Sequence, residues 1–117
     1  MKLSVVFTVL NQLKIDHWQT KSHAEHIALG EAYSSLDDLF DKFVEVMYGR
    51  VGTPDDTITY SIKLDSYNSN MVSTYTRMRE QVITYLNTIT AGFDMLKNIQ
   101  DEIEAEFDRL IYKLNQS

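Results

Sequence analysis

The sequence predicts an all-α domain: a four-helix bundle with one long crossover between the second and third helices. Three observations lead there. Four segments carry an apolar residue every three or four positions, the period of a helix with one buried face. One Pro and four Gly among 117 residues leave few breakers, unlike a sandwich of many short strands. The connection 51–67 is far longer than neighbouring antiparallel helices need.

The elements follow in order. The first helix reads Leu3, Val6, Phe7, Leu10, Leu13 and His17 on one stripe, with Trp18 beside it. It is expected to begin almost at Met1 and to end near Lys21. Ser22-His23-Ala24-Glu25 is a capping box, in which Ser22 accepts from a first-turn amide and Glu25 reaches back. The second helix buries Leu29, Tyr33, Leu36, Phe40, Phe43 and Met47, and Gly49, Gly52 and Pro54 should stop it after Tyr48. It would be about 40 Å long at 1.5 Å per residue. Seventeen extended residues reach roughly 55 Å, so the connection can return the chain to the opposite end. Its Ile58, Tyr60, Ile62 and Leu64 alternate with polar residues, which suits a strap packed on the bundle. Asn68-Ser69-Asn70 caps the third helix, whose stripe is Met71, Tyr75, Met78, Val82, Tyr85 and Ile89. Ala91-Gly92 separates it from the fourth: Leu96, Ile99, Ile103, Phe107, Leu110 and Leu114.

Composition narrows the function. At 13.6 kDa the chain fits one domain, residues 1–117, with a real core. Absence of Cys removes disulfides and thiolate metal sites and suits a reducing cytoplasm. A net charge of −6 repels phosphate backbones, and no run of Lys or Arg offsets it, so DNA is not an expected partner. No apolar stretch is long enough to span a bilayer, and the start lacks the features of a signal peptide. A cytoplasmic protein without membrane contact is the expectation. There is no phosphate-binding glycine loop, no nucleophile motif and no Zn-type ligand set. The run Asp101, Glu102, Glu104, Glu106 and Asp108 reads as a solvated face; Glu102 and Glu106 repel at i, i+4 unless a cation lies nearby.

Di-iron bundles supply Glu-x-x-His pairs from two helices. The three His here follow Lys14, Thr20 and His23 at that spacing, so no such pair exists. His17-Trp18-Gln19-Thr20-Lys21-Ser22 nevertheless resembles the His-Trp-x-x-Lys-Gly signature of the Dps-type mini-ferritins. Leu29-Gly30-Glu31-Ala32-Tyr33, then Leu36 and Asp38, resembles their Leu-His-Glu-x-Phe segment. Val44 to Arg50 is similar to their Val-Asp-x-Ile-Ala-Glu-Arg, and Gly52-Thr53-Pro54 with Tyr60 to their crossover. The resemblance implies a ferritin-like bundle with a metal site shared between two subunits. Carried over by position, the first His is His17 and the Asp becomes Glu45; the second His becomes Gly30 and the Glu becomes Gly49. Two of four ligands are replaced by residues with no ligating atom, which implies loss of the iron-oxidising activity. The chain also resembles small uncharacterised proteins of tailed bacteriophages, and a phage setting would place it in the host cytoplasm.

Two readings of the site follow. In the first, the protein is a non-catalytic, homo-oligomeric binding protein that takes a host protein or a small ligand, with Trp18, Lys21 and Tyr48 at an interface or pocket. In the second, His17, His26, Asp41 and Glu45 form a rearranged site for iron or another divalent metal. Asp38, Asp41 and Glu45 lie opposite the apolar stripe of their helix, a solvated acidic face in a monomer. A lone His on an apolar stripe, as His17 is, commonly serves as a hydrogen-bonded core or interface residue. Trp18 is expected to pack, and His23 and His26 share one face. A purely structural or adaptor bundle whose acidic helices dock a basic partner is the third expectation.

Overall fold

A computed structural model describes residues 3–52 and 60–116, with nothing described of the Val51 side chain. Four helices account for nearly all of it: α1 (Ser4–Gln19), α2 (His23–Val51), α3 (Met71–Thr90) and α4 (Asp94–Gln116). No strand occurs among the described residues. α2, at 29 residues, matches the 43 Å long dimension of the molecule at 1.5 Å per residue.

Cross-helix pairs fix the directions. Glu31 meets Lys113 and Lys42 meets Glu102, so α2 and α4 are antiparallel. Thr90 meets Gln100 while Arg79 meets Glu104 and Asp108, so α3 and α4 are antiparallel too. Lys14 lies over Tyr33, and His17 over His26 and Gly30, which makes α1 and α2 antiparallel. Between the two hairpins the strap 60–70 runs beside α1 in its own direction: Tyr60 near Leu3 and Phe7, Asp65 on Gln12, Tyr67 on Gln19. The order is therefore up-down-down-up, the arrangement of bundles with one long crossover. The predicted fold class holds. Ile58 and Pro54, expected in the crossover, lie outside the described residues.

The stripes read from sequence become the core. Leu13, Leu36, Phe43, Tyr75, Ile103 and Phe107 are fully buried, and removing each such side chain from water contributes roughly 1.5–3 kcal/mol. Some expectations need correction. α1 ends at Gln19 rather than Lys21, and Phe7 is 43% exposed, its ring against Tyr60 instead of the core. α2 runs through Gly49 and stops at Gly52, whose φ of 98° only glycine adopts at no cost. An isolated Gly cannot stop a helix whose flanking Met47 and Tyr48 pack on the core. Gly92, at φ 81°, turns the chain between α3 and α4.

Half of the capping box forms as expected. Ser22 accepts from the Glu25 amide at 3.2 Å, but the Glu25 carboxylate accepts from Thr20 (2.7 Å) and the Tyr67 hydroxyl (2.8 Å), while Thr20 takes the Ser22 amide. Asn70 caps α3 through Ser73 N–H. On α4 every member of the acidic run has a cation: Lys97 at Asp101, Lys42 at Glu102, Arg79 at Glu104 and Asp108, Arg109 at Glu106. The run is a paired face.

Candidate functional site

His17 stands in the last turn of α1 and His26 in the first turn of α2, facing each other across the tight connection at 20–22. Their rings stack with centroids 3.8 Å apart and planes 15° from parallel. Nδ1 of His17 lies 2.7 Å from the His26 carbonyl oxygen, and Nδ1 of His26 lies 2.8 Å from the His17 carbonyl oxygen. A carbonyl oxygen only accepts, so both Nδ1 atoms carry a proton, and the tautomer that fits this arrangement has its lone pair on Nε2. This reciprocal clasp satisfies a C-terminal carbonyl of α1 that the helix itself leaves unpaired.

Gly30 is what lets α2 approach so closely. A Cβ placed there would sit 3.0 Å from His17 Cε1 and 3.2 Å from its Nδ1. The position that resembles the missing second ligand is thus the seat of the first His.

The sequence-predicted metal residues separate. His17 and His26 come together, as the clasp shows. Asp41 and Glu45 are exposed, farther down α2; Asp41 borders a groove with Leu3, Phe7 and Val44. Among the described residues no three His, Asp or Glu side chains converge within one chain. The stacked pair is not a chelate either. An imidazole lone pair lies in its ring plane, and planes 15° apart do not aim two of them at one ion. Trp18 is 68% exposed, where packing had been expected, with the Lys14 ammonium 5.7 Å from its ring and 4.3 Å from that of Tyr33. Lys21 and His23 are exposed, and Tyr48 is half-buried against the core.

A groove of about 640 Å³ opens beside the clasp, floored by Ala28, Ala32 and Leu110. Its polar wall is already internally paired: Lys113 with Glu31 at 2.7 Å, and Arg109 with Glu106. Ser34 and Ser35 complete it.

Sequence reasoning missed a second constellation on the other side of α1. Asp16 is fully buried and has no cation partner among the described residues. The Tyr75 hydroxyl donates to it at 2.5 Å and the Gln12 amide at 3.3 Å. Burial pushes the Asp16 carboxyl up; those two hydrogen bonds pull against it, while the Asp65 and Glu25 charges push with it. Burial, then the Asp16 charge and hydrogen bond, raises Tyr75. The hydrogen bond to Glu25 raises Tyr67. Gln12 also grips the strap, donating to the Asp65 carbonyl at 2.8 Å and accepting its amide at 2.9 Å. A readable signal existed: Val9, Gln12, Leu13 and Asp16 share a helical face.

A model of the family of unknown function DUF5856 matches residues 17–114. No curated protein and no solved structure matches the chain. Among the described residues no helix is long and apolar enough to cross a membrane. The chain belongs to the DUF5856 family.

Proposed function

We propose that this DUF5856 member is a non-catalytic, self-associating bundle of the mini-ferritin type that works by binding in the cytoplasm. Its targets would be a host protein or a small ligand, the reading that a resemblance of the sequence to tailed-phage proteins would imply. The observation that carries the self-association is the outer face of the α1–α2 pair. Trp18 and Lys14 lie toward one end, with Tyr33 beneath; Phe7, Asp37 and Asp41 lie toward the other, and Glu45 continues the line one turn on. Lys14, Asp37, Asp41 and Glu45 have no ion pair among the described residues. A two-fold axis across this face reverses one copy against the other. Lys14 and Trp18 of each then meet the acidic end of its mate, and two unpaired charge sets become complementary.

Loss of catalysis rests on Gly30 and Gly49, which contribute no ligand, and on the stacked geometry of the remaining imidazoles. Sedimentation of the parent and of Trp18→Asp tests the assembly. A dimer or larger species is expected for the parent and a smaller one for the variant; a single-chain mass for the parent refutes it.

One observation favours the metal-binding reading as a second possibility. An Nδ1–H held by a carbonyl is the arrangement that presents Nε2 to a metal, and the proposed pairing brings a second copy's carboxylates toward His17. Anaerobic Fe²⁺ followed by air separates the two. Ferric absorbance that disappears in His17→Ala supports the metal site; oxidation at the buffer rate supports the non-catalytic reading.

A further inference from the structure

The strap 60–70 is extended yet has no partner strand among the described residues. Its burial alternates: Tyr60, Ile62 and Leu64 are half-buried, while Ser61, Lys63 and Asp65 face solvent. In an extended chain the N–H and C=O of one residue leave by the same edge, and successive residues alternate edges. Both groups of Asp65 are taken by Gln12 of α1, and the Tyr67 amide by Gln19 of α1. The backbone groups of Ile62, Leu64 and Ser66 therefore leave by the opposite edge, and none is hydrogen-bonded to a described residue. A groove of about 320 Å³ lies where the strap, α1 and α3 meet, bordered by Ile62, Lys63, Met78 and Gln81.

We infer that this edge pairs, antiparallel, with the same strap of a second copy, Leu64 opposite Leu64. In that register Ile62 faces Ser66 of the mate and the free edges exchange about six backbone hydrogen bonds. The solvent-facing side chains decide the occupant. Lys63 falls opposite Asp65 of the mate, and Asp65 opposite Lys63; neither has an ion pair within the chain among the described residues. A foreign strand would need an acid and a base at those two places. The chain's own strap supplies both, because a two-fold axis through Leu64 exchanges them. One short strand pair buries far less than the roughly 1,200–2,000 Å² of a stable interface, so the contact is weak alone. It gains strength where another interface already holds copies together.

This inference does not rest on the α1–α2 pairing, and the test is run in the Trp18→Asp background that removes that face. Amide exchange is followed by NMR at low and at high micromolar protein. Exchange of the Ile62, Leu64 and Ser66 amides should slow several-fold as concentration rises, with the Asp65 amide unchanged. Lys63→Asp and Asp65→Lys should each abolish the slowing, and the double exchange K63D/D65K should restore it. Both side chains are exposed, and an unchanged helical circular dichroism spectrum confirms folding of each variant. Exchange independent of concentration, protection indifferent to the charges, or a double exchange that restores nothing overturns the inference. Failure of the α1–α2 pairing shows separately, as a Trp18→Asp variant with the parent's mass.

Discussion

Replacing Gly30 by Ala puts two effects of opposite sign on one atom. Inside a helix the substitution ordinarily stabilises by about 0.5–1 kcal/mol, because Ala loses less backbone entropy. Here the added Cβ lies 3.0 Å from His17 Cε1, and two contacts hold that ring in place. His26 stacks on it at 3.8 Å, and its Nδ1 is anchored at 2.7 Å. Yielding by a few tenths of an ångström stretches the two ring-to-carbonyl hydrogen bonds, about 1 kcal/mol each. It also disturbs a stack worth about 0.5–1.5 kcal/mol. The net expectation is destabilisation by about 1–2 kcal/mol. In a His17→Ala background the obstacle is gone, and Gly30→Ala should stabilise by about 0.5–1 kcal/mol. Urea unfolding of the four proteins closes a double-mutant cycle with a coupling of about 2 kcal/mol. Gly49, also inside α2, has open space where its Cβ would be. Gly49→Ala should therefore stabilise by about 0.5–1 kcal/mol in either background. If Gly30→Ala stabilises the parent as much as the His17→Ala variant, the seat described for His17 is wrong.

Tyr75→Phe should cost about 1–3 kcal/mol, since the buried Asp16 carboxylate would keep only the long Gln12 bond; urea midpoints measure it. Asp16 holds its proton more tightly folded than unfolded. Relative to Asp16→Asn, stability should therefore rise as pH falls from neutrality through the raised value, then level off below the ordinary 3.8. Stability falling over that interval would contradict it. Arg79→Ala, which frees Glu104 and Asp108, should cost about 0.5–1 kcal/mol, with the difference shrinking in molar salt. Gln12→Ala should release the strap, raising Asp65 amide exchange toward the solvent rate while α4 amides stay protected.

The helical periods, the Ser22 and Asn70 caps and the length of the crossover were legible because each is a local property of the chain. Gly49 was misread because a breaker's effect depends on what the next turn packs against. Asp16 was ambiguous as a core residue for a related reason. The stripe through Leu10 and Leu13 can be continued to residue 16 or to residue 17. Only Tyr75, 59 positions away, decides that 16 points inward. His17 and His26 were grouped in the sequence as candidate ligands, but their stacked clasp was not legible, because it depends on how the connection 20–22 folds α2 back on α1. The acidic run looked unbalanced because two of its four cations, Lys42 and Arg79, come from α2 and α3.

Each helical hairpin closes over a connection of only three residues, at 20–22 and at 91–93, whereas the tether between the hairpins is the long crossover. Pairs within each hairpin form between near neighbours in sequence and can assemble quickly. Docking one hairpin on the other must instead close the long tether. Lengthening such a loop adds little to its entropic cost. A tether of that reach lets the α3–α4 hairpin of one chain settle on the α1–α2 hairpin of another with the same α2–α4 contacts, so at high concentration hairpin exchange competes with folding alone.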